Sequence, residues 1–149
     1  CQELLEPLNS TFGRVAIRSS YRSCEVNQFG NEHGYSCAKN EANYAQHIWD
    51  RLDIEGLKGA TACIVLPWFT ERYANGADWR TLAYWIHDHL PYSELCFFPS
   101  LCAFNISWHE NPKRSIYSYI EPKGYLLKTS ILPSDQAELY QDFPPLRIE

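Results

Sequence analysis

Six cysteines and five histidines carry most of the chemical potential of this 149-residue chain. Cys1, Cys24, Cys37, Cys63, Cys96 and Cys102 contain no C-x-x-C pair, so neither a zinc ribbon nor a thioredoxin-type redox pair has its spacing. In a chain long enough to build its own core, they read as buried free thiols of a reducing compartment rather than as a disulfide scaffold. His87 and His89 stand two apart on a predicted helix and do not face one ion. Asp50 and Asp53 could approach His47, but charged residues one turn apart ordinarily form a solvated face. Cys1 could carry a lipid after signal cleavage. Against that, Leu4, Leu5 and Leu8 fall on one stripe, and residues 1–8 read as the end of an amphipathic helix. With that helix cut at its start and no methionine in the sequence, the chain is expected to begin inside a longer polypeptide or after processing.

The elements that must position these groups follow from pattern and punctuation. Pro7 and Asn9-Ser10 are expected to close the first helix, and Val15-Ala16-Ile17 predicts a short strand after Gly13. Ser19 to Ser23 reads as a polar turn and Cys24 to Asn27 as the start of a short helix. The aperiodic residues 28–37, with two glycines, read as loop. A helix is expected over Asn40 to Leu52, followed by a turn bracketed by Gly56 and Gly59. Ala60 to Leu66, an apolar run ended by Pro67, predicts a central strand. Asp78 is a good N-cap for a helix Trp79 to His89, whose Leu82, Trp85, Ile86 and His89 share a face and which Pro91 stops. Glu94 to Phe98 and Ala103 to His109 predict two strands joined by Pro99-Ser100, and Ser115 to Ile120 an edge strand or hairpin partner. The sum is an α+β domain over residues 1–121, with helices packed on a small, mostly antiparallel sheet. Residues 122–149, broken by Lys123-Gly124, Pro133-Ser134 and Pro144-Pro145, are expected to form an extended tail that wraps the domain or docks on a neighbour.

Composition removes several classes of function. An aromatic share of 15% with 45% hydrophobic residues is not that of a disordered chain. No apolar run approaches the roughly 18 residues of a membrane span. Thirteen basic against 18 acidic residues give a net charge of −5 without a basic cluster, so nucleic acid is not an expected partner.

Leu4-Leu5-Glu6-Pro7-Leu8, Phe12-Gly13, the run Val15 to Ser23 and Glu25-Val26-Asn27 together resemble the opening of a known family. It is that of the zinc D-Ala-D-Ala carboxypeptidases and phage endolysins, the LAS-type peptidoglycan peptidases. Their signature runs helix, Phe-Gly, strand, Ser-Gly-Tyr-Arg-Ser and a nearby Asn. Gly59 to Pro67 is similar to the family's second block and Phe104-Asn105-Ile106-Ser107-Trp108 to its last strand, so the likeness covers residues 4 to 110. The resemblance implies a D-Ala-D-Ala carboxypeptidase/hedgehog-like fold, peptidoglycan stem peptides as substrate, and substrate contacts at Ser20, Tyr21 and Arg22. Arg22 would either keep an anionic ligand or pair with Glu25 or another acid at the edge of the core.

The family holds zinc through S-x-H-x-x-G-x-A-x-D and a histidine on the last strand, with a fourth position open for an activated water. Set against that pattern, Gly59 and Ala62 hold the second block in place, but Cys63 stands at the aspartate and Asn105 at the last-strand histidine. Cys102 stands where the catalytic acid would sit, so the general base is replaced too. His47 takes the first ligand position only if nine extra residues separate it from Gly59; otherwise that position falls on Gly56. His109 shares Asn105's strand face but lies about 13 Å further along at ~3.3 Å per residue, beyond reach of the same ion. If His47 does hold the first position, Cys63, His47 and Asn105 converge, and these are the residue types of a thiolate nucleophile, its base and its orienting amide. The plain alternative is an inert thiol in an apolar strand. The expectation is therefore a peptidase-like domain without zinc or catalysis. It would serve as a structural or interaction module in a phage or prophage particle, found in the virion or in the bacterial cytoplasm before assembly, with protein or peptidoglycan as partner. The alternative is an active D-Ala-D-Ala-type hydrolase with an altered metal or Cys-His site, in which zinc would be the cofactor.

Overall fold

A computed structural model describes residues 1–128 and 136–148; Pro133-Ser134, read as part of the tail, lies outside them. The chain folds as α+β, with five helices and a six-stranded, mostly antiparallel sheet among the described residues. The strands are β1 (Ala16–Ser19), β2 (Gly59–Val65), β3 (Glu94–Phe97), β4 (Phe104–His109), β5 (Ser115–Ser118) and β6 (Gly124–Leu127), in sheet order β1-β2-β4-β3-β5-β6. Every pairing is antiparallel except β3 with β5. The helices are α1 (Leu5–Phe12), α2 (Cys24–Glu32), α3 (Asn40–Asn43), α4 (Pro67–Ala74) and α5 (Trp79–His89). None of the described helices is long and apolar enough to cross a membrane.

Successive strand residues point to opposite faces, and that parity sorts the molecule. Ala62 and Ile64 of β2, Leu95 and Phe97 of β3, Phe104 and Ile106 of β4, and Ile116 and Leu127 of β5 and β6 are buried in the core. They pack with Leu8 and Phe12 of α1, Phe69 of α4, and Trp79, Leu82, Trp85 and Ile86 of α5. The alternate residues, Thr61, Cys63, Glu94, Cys96, Asn105, Ser107, Ser115 and Tyr117, form the other face, and a register shift in the β5–β6 pairing brings Tyr125 opposite Tyr117 onto it.

α5 and its Asp78 cap match the sequence pattern: the Asp78 carboxylate accepts the Arg80 amide at 2.9 Å. β2, β3 and β4 also stand where the pattern places them. Other expectations need correction. Pro7 does not close α1; it occupies the first turn, where a missing N–H costs nothing, and the helix runs on to Gly13, whose φ is 79°. α2 continues to Glu32 through residues read as loop. The expected helix over Asn40 to Leu52 is only α3, because Ala45 takes a left-handed φ of 55° and turns the chain back toward β2. Pro67 ends β2 and at once begins α4, a helix absent from the sequence reading, by filling its first position. Of the two expectations for Ser115 to Ile120, the hairpin partner holds, since β5 pairs antiparallel with the next strand, β6, while the edge does not, because β3 flanks its other side. β6 lies within the residues read as tail, and further on Tyr140, Phe143 and Leu146 pack against the core while the Arg147 amide donates to Thr11 Oγ1 at 2.9 Å.

Candidate functional site

On the face away from α5, register brings one row of side chains together. Cys63 of β2 stands directly opposite Asn105 of β4, and Asn105 directly opposite Cys96 of β3. The row continues through Tyr117 to Tyr125, and Ser19 of β1 is the partner of Cys63 on the other side. Burial pushes the Cys63 thiol above its usual range, with Arg18 opposing. Burial raises the Cys96 thiol to about 11, assisted by the neighbouring Cys63 and Glu94. Both sulfurs are therefore neutral thiols at pH 7, on either side of a neutral amide.

The segment after α3 closes one end of this face. Gln46 accepts the Thr61 amide at 2.8 Å through its carbonyl and the Thr61 hydroxyl at 2.7 Å through its side chain. Thr61 Oγ1 lies 2.8 Å from Ser107 Oγ, and Gln46 Nε2 donates to Glu94 at 3.2 Å. The resulting chain, Ser107–Thr61–Gln46–Glu94, ends at Lys113, 3.5 Å from the Glu94 carboxylate. His47 follows Gln46 and is buried. Its Nδ1 donates to the Ser20 carbonyl at 3.0 Å, leaving the lone pair of the neutral ring on Nε2, and its own carbonyl accepts the Arg22 amide at 2.8 Å.

The structure thus joins Cys63 to Asn105 and brings His47 to Ser20, one residue past the partner of Cys63; no hydrogen bond links His47 to Cys63 among the described residues. Among the described residues Arg22 forms no ion pair with Glu25 or another acid: its Nη1 donates to Cys37 Sγ at 2.7 Å, while its buried Nε has no partner. Tyr21 is exposed and packs on Trp49 with ring centroids 5.8 Å apart. Asp53 turns away from His47 and binds His109 Nε2 at 2.9 Å. His87 donates or accepts at Tyr92 Oη, and His89 bonds the Trp85 carbonyl, so both serve packing on α5. Cys102 is buried in the core beneath the hairpin between β3 and β4.

Zinc, which the resemblance implies, does not suit these donors. Asn105 stands opposite Cys63 and offers only a neutral amide, a poor zinc ligand beside imidazole, thiolate or carboxylate. Among the described residues, no group of three or more His, Cys, Asp or Glu side chains converges to hold an ion. Cys96 and the Gln46–Glu94 chain are parts of the site that the sequence reading missed. The alternation of β3 and β4 assigns Cys96, Asn105 and Ser107 to one kind of face, and that was the available signal.

Comparison of the chain with models of protein families, with curated proteins and with solved structures finds no match.

His47 also makes stability depend on pH. Burial, with Arg22 nearby, lowers its pKa against the pull of the Ser20 bond, and burial with Arg114 does the same at His87. Both rings take up a proton more readily unfolded than folded, so stability is full above the ordinary value of 6.5 and is lost as pH falls from there through the folded values. Urea midpoints should fall between pH 7 and pH 5.5, and His47→Gln should flatten that slope. An unchanged slope in the variant would remove His47 from the explanation.

Proposed function

We propose that this is a peptidoglycan-peptidase-like domain of the D-Ala-D-Ala carboxypeptidase/hedgehog-like type that works without zinc or catalysis, as a structural or recognition module in a larger assembly such as a phage or prophage particle. The observation that carries the reading is the row Cys63–Asn105–Cys96: two thiols kept neutral by burial flank an amide where the family's chemistry calls for charged or imidazole ligands. Such a surface donates and accepts hydrogen bonds but neither ionises a water nor supplies a thiolate at neutral pH. The Arg22–His47 backbone pairing and the His47–Ser20 bond fix His47 beside β1 without bonding it to Cys63.

A second reading, a hydrolase built on Cys63 and His47, draws on the free Nε2 lone pair of His47. The raised Cys63 pKa and the absence of a His47–Cys63 bond among the described residues weigh against it. One experiment separates the two: metal content of the purified chain and of its His47→Ala variant by elemental analysis, with release of D-Ala or stem peptides from cell walls assayed in parallel. The expected result is no stoichiometric metal in either protein and no release. Zinc that disappears in His47→Ala, or peptide release by the unaltered chain, overturns the non-catalytic reading. Release that Cys63→Ser abolishes in a zinc-free protein establishes the second.

A further inference from the structure

Beyond Cys96 the same sheet face passes into a run of aromatic rings. Phe98 stacks on Tyr119 with centroids 5.6 Å apart, Tyr119 meets Tyr117 edge-on at 5.2 Å, and Tyr117 meets Tyr125 edge-on at 5.1 Å. Tyr119 is 49% and Tyr125 59% exposed, a large aromatic area to leave in water. Tyr117 and Tyr125 wall a hollow of about 240 Å³ whose lining also includes Asn105, Ser115, Cys96 and Glu94. The hollow opens past Tyr125 and Ser115 toward Lys113 and Lys128.

The polar groups of the hollow are of two kinds. Glu94 is already answered from within the protein, by Gln46 at 3.2 Å and Lys113 at 3.5 Å. Asn105, Ser115, Tyr117 and Tyr125, whose side-chain polar atoms have no side-chain partner among the described residues, also line the hollow. No cation lines the hollow itself, so a phosphate or terminal carboxylate inside it would be unanswered; at the mouth Lys113 is taken by Glu94, and Lys128 Nζ lies 5.4 Å from the centroid of the Tyr125 ring. An apolar side chain would strand the amide and the hydroxyls, which is costly for groups that cannot then reach water. What the lining complements is a neutral ligand with a flat carbon face for the tyrosines and a rim of hydroxyl or amide groups for Asn105 and Ser115. A pyranose ring has that shape and that division of polarity.

We propose that this hollow binds a neutral hexose or N-acetylhexosamine ring of a polysaccharide, with the ring's carbon face on Tyr125 and Tyr117 and its hydroxyl or acetamido groups on Asn105 and Ser115. The inference deepens the recognition-module reading and rests on it, giving the non-catalytic face its ligand class.

The test is calorimetric titration of the full 149-residue chain with the trimer of N-acetylglucosamine and, in a separate arm, with cellotriose. Saturable binding of either supports the proposal, and preference for the first assigns a contact to the acetamido group. Tyr125→Ala should weaken binding about tenfold, while Tyr125→Phe, which keeps the ring, should stay within about threefold. Asn105→Leu should weaken it about tenfold by removing the polar partner. Because Tyr125 is exposed, its variants are expected to keep the far-ultraviolet circular dichroism and melting curve of the parent. Failure to bind either trimer, or a Tyr125→Ala protein that binds as tightly as the parent, overturns the proposal. Peptide release from cell walls would instead overturn the non-catalytic reading and leave a positive sugar titration standing, so the two failures are distinguishable.

Discussion

Gly59→Ala is expected to destabilise the domain by about 3 kcal/mol, the upper part of the range for forcing extra atoms into a packed site. General preference points the other way: alanine in a strand costs less backbone entropy than glycine, and Gly59 has no left-handed φ to protect. Space decides. A Cβ at residue 59 would lie 2.2 Å from the Ala45 carbonyl oxygen and 2.8 Å from His109 Cδ2. The histidine ring could swing at the loss of its Asp53 bond, but the carbonyl belongs to a backbone held on several sides. The Ala45 amide donates to the carbonyls of Ile48 and Arg51, and the next residue accepts the Thr61 amide. Retreat of that loop would break the Thr61–Gln46 pair and then the Gln46–Glu94 bond. The check is twofold: a lower urea midpoint, and loss of hydrogen-exchange protection at the Thr61 amide. A variant with the parent midpoint and a protected Thr61 amide would mean that the loop yields freely. His47 would then owe its place to Ser20 and Arg22 alone.

The same loop marks where sequence pattern stops being informative. Apolar spacing over residues 40–52 is compatible with a helix, but Asn43 is buried and its side-chain amide donates to the carbonyls of Ala38 and Lys39 and to Asn27. Asparagine offers its neighbours this local alternative to helical bonding, and the docking of the loop on Gly59 adds a tertiary reward that no local window contains. α4 is hidden for a different reason: proline stops one element and starts another with equal ease, so Pro67 after an apolar strand marks a boundary without revealing the helix it begins. α5 was legible because cap, stripe and stop agree. The alternation in β3, β4 and β5 revealed faces but not partners, since period-2 patterning specifies which side is buried and leaves the neighbouring strand open. The interior place of β5 and its parallel pairing with β3 are decided elsewhere. At the site, Cys63 and Asn105 stood out only through the resemblance to a peptidase family. Cys96 completes the row because β3 and not β5 lies beside β4, a fact of register. The tyrosine run needs β6, which sits in residues whose glycine and prolines read as a tail.

Arg114 braces the crossover that brings β5 beside β3, and Arg114→Ala is expected to cost about 3 kcal/mol, the sum of charge-assisted bonds lost and carbonyls left short of donors. Its guanidinium donates through Nη1 to the carbonyls of Leu90 at 2.6 Å and Tyr92 at 3.2 Å, and through Nη2 to the His87 carbonyl at 2.5 Å. The group also lies over the Tyr92 ring, 4.3 Å from its centroid. Two of those carbonyls stand at the C-terminal end of α5, where unpaired C=O groups and the helix dipole favour a cation. The third leads into β3. One planar side chain therefore ties the end of α5 and the entry of β3 to the residue before β5, whose first amide then donates to the Ser93 carbonyl at 3.1 Å. Arg114→Lys keeps the charge but reaches fewer of the three acceptors from a single nitrogen, so it should recover less than half of the loss. His87 supplies an independent readout. Arg114 is the second cause, after burial, of its lowered pKa, so the His87 ring should titrate closer to 6.5 in Arg114→Ala by NMR. A lysine variant as stable as the parent would show that charge alone suffices at this crossover. An unmoved His87 titration in the alanine variant would show that the guanidinium does not act on that ring. If both expected results hold, the crossover that builds the tyrosine wall depends on the fork of one arginine.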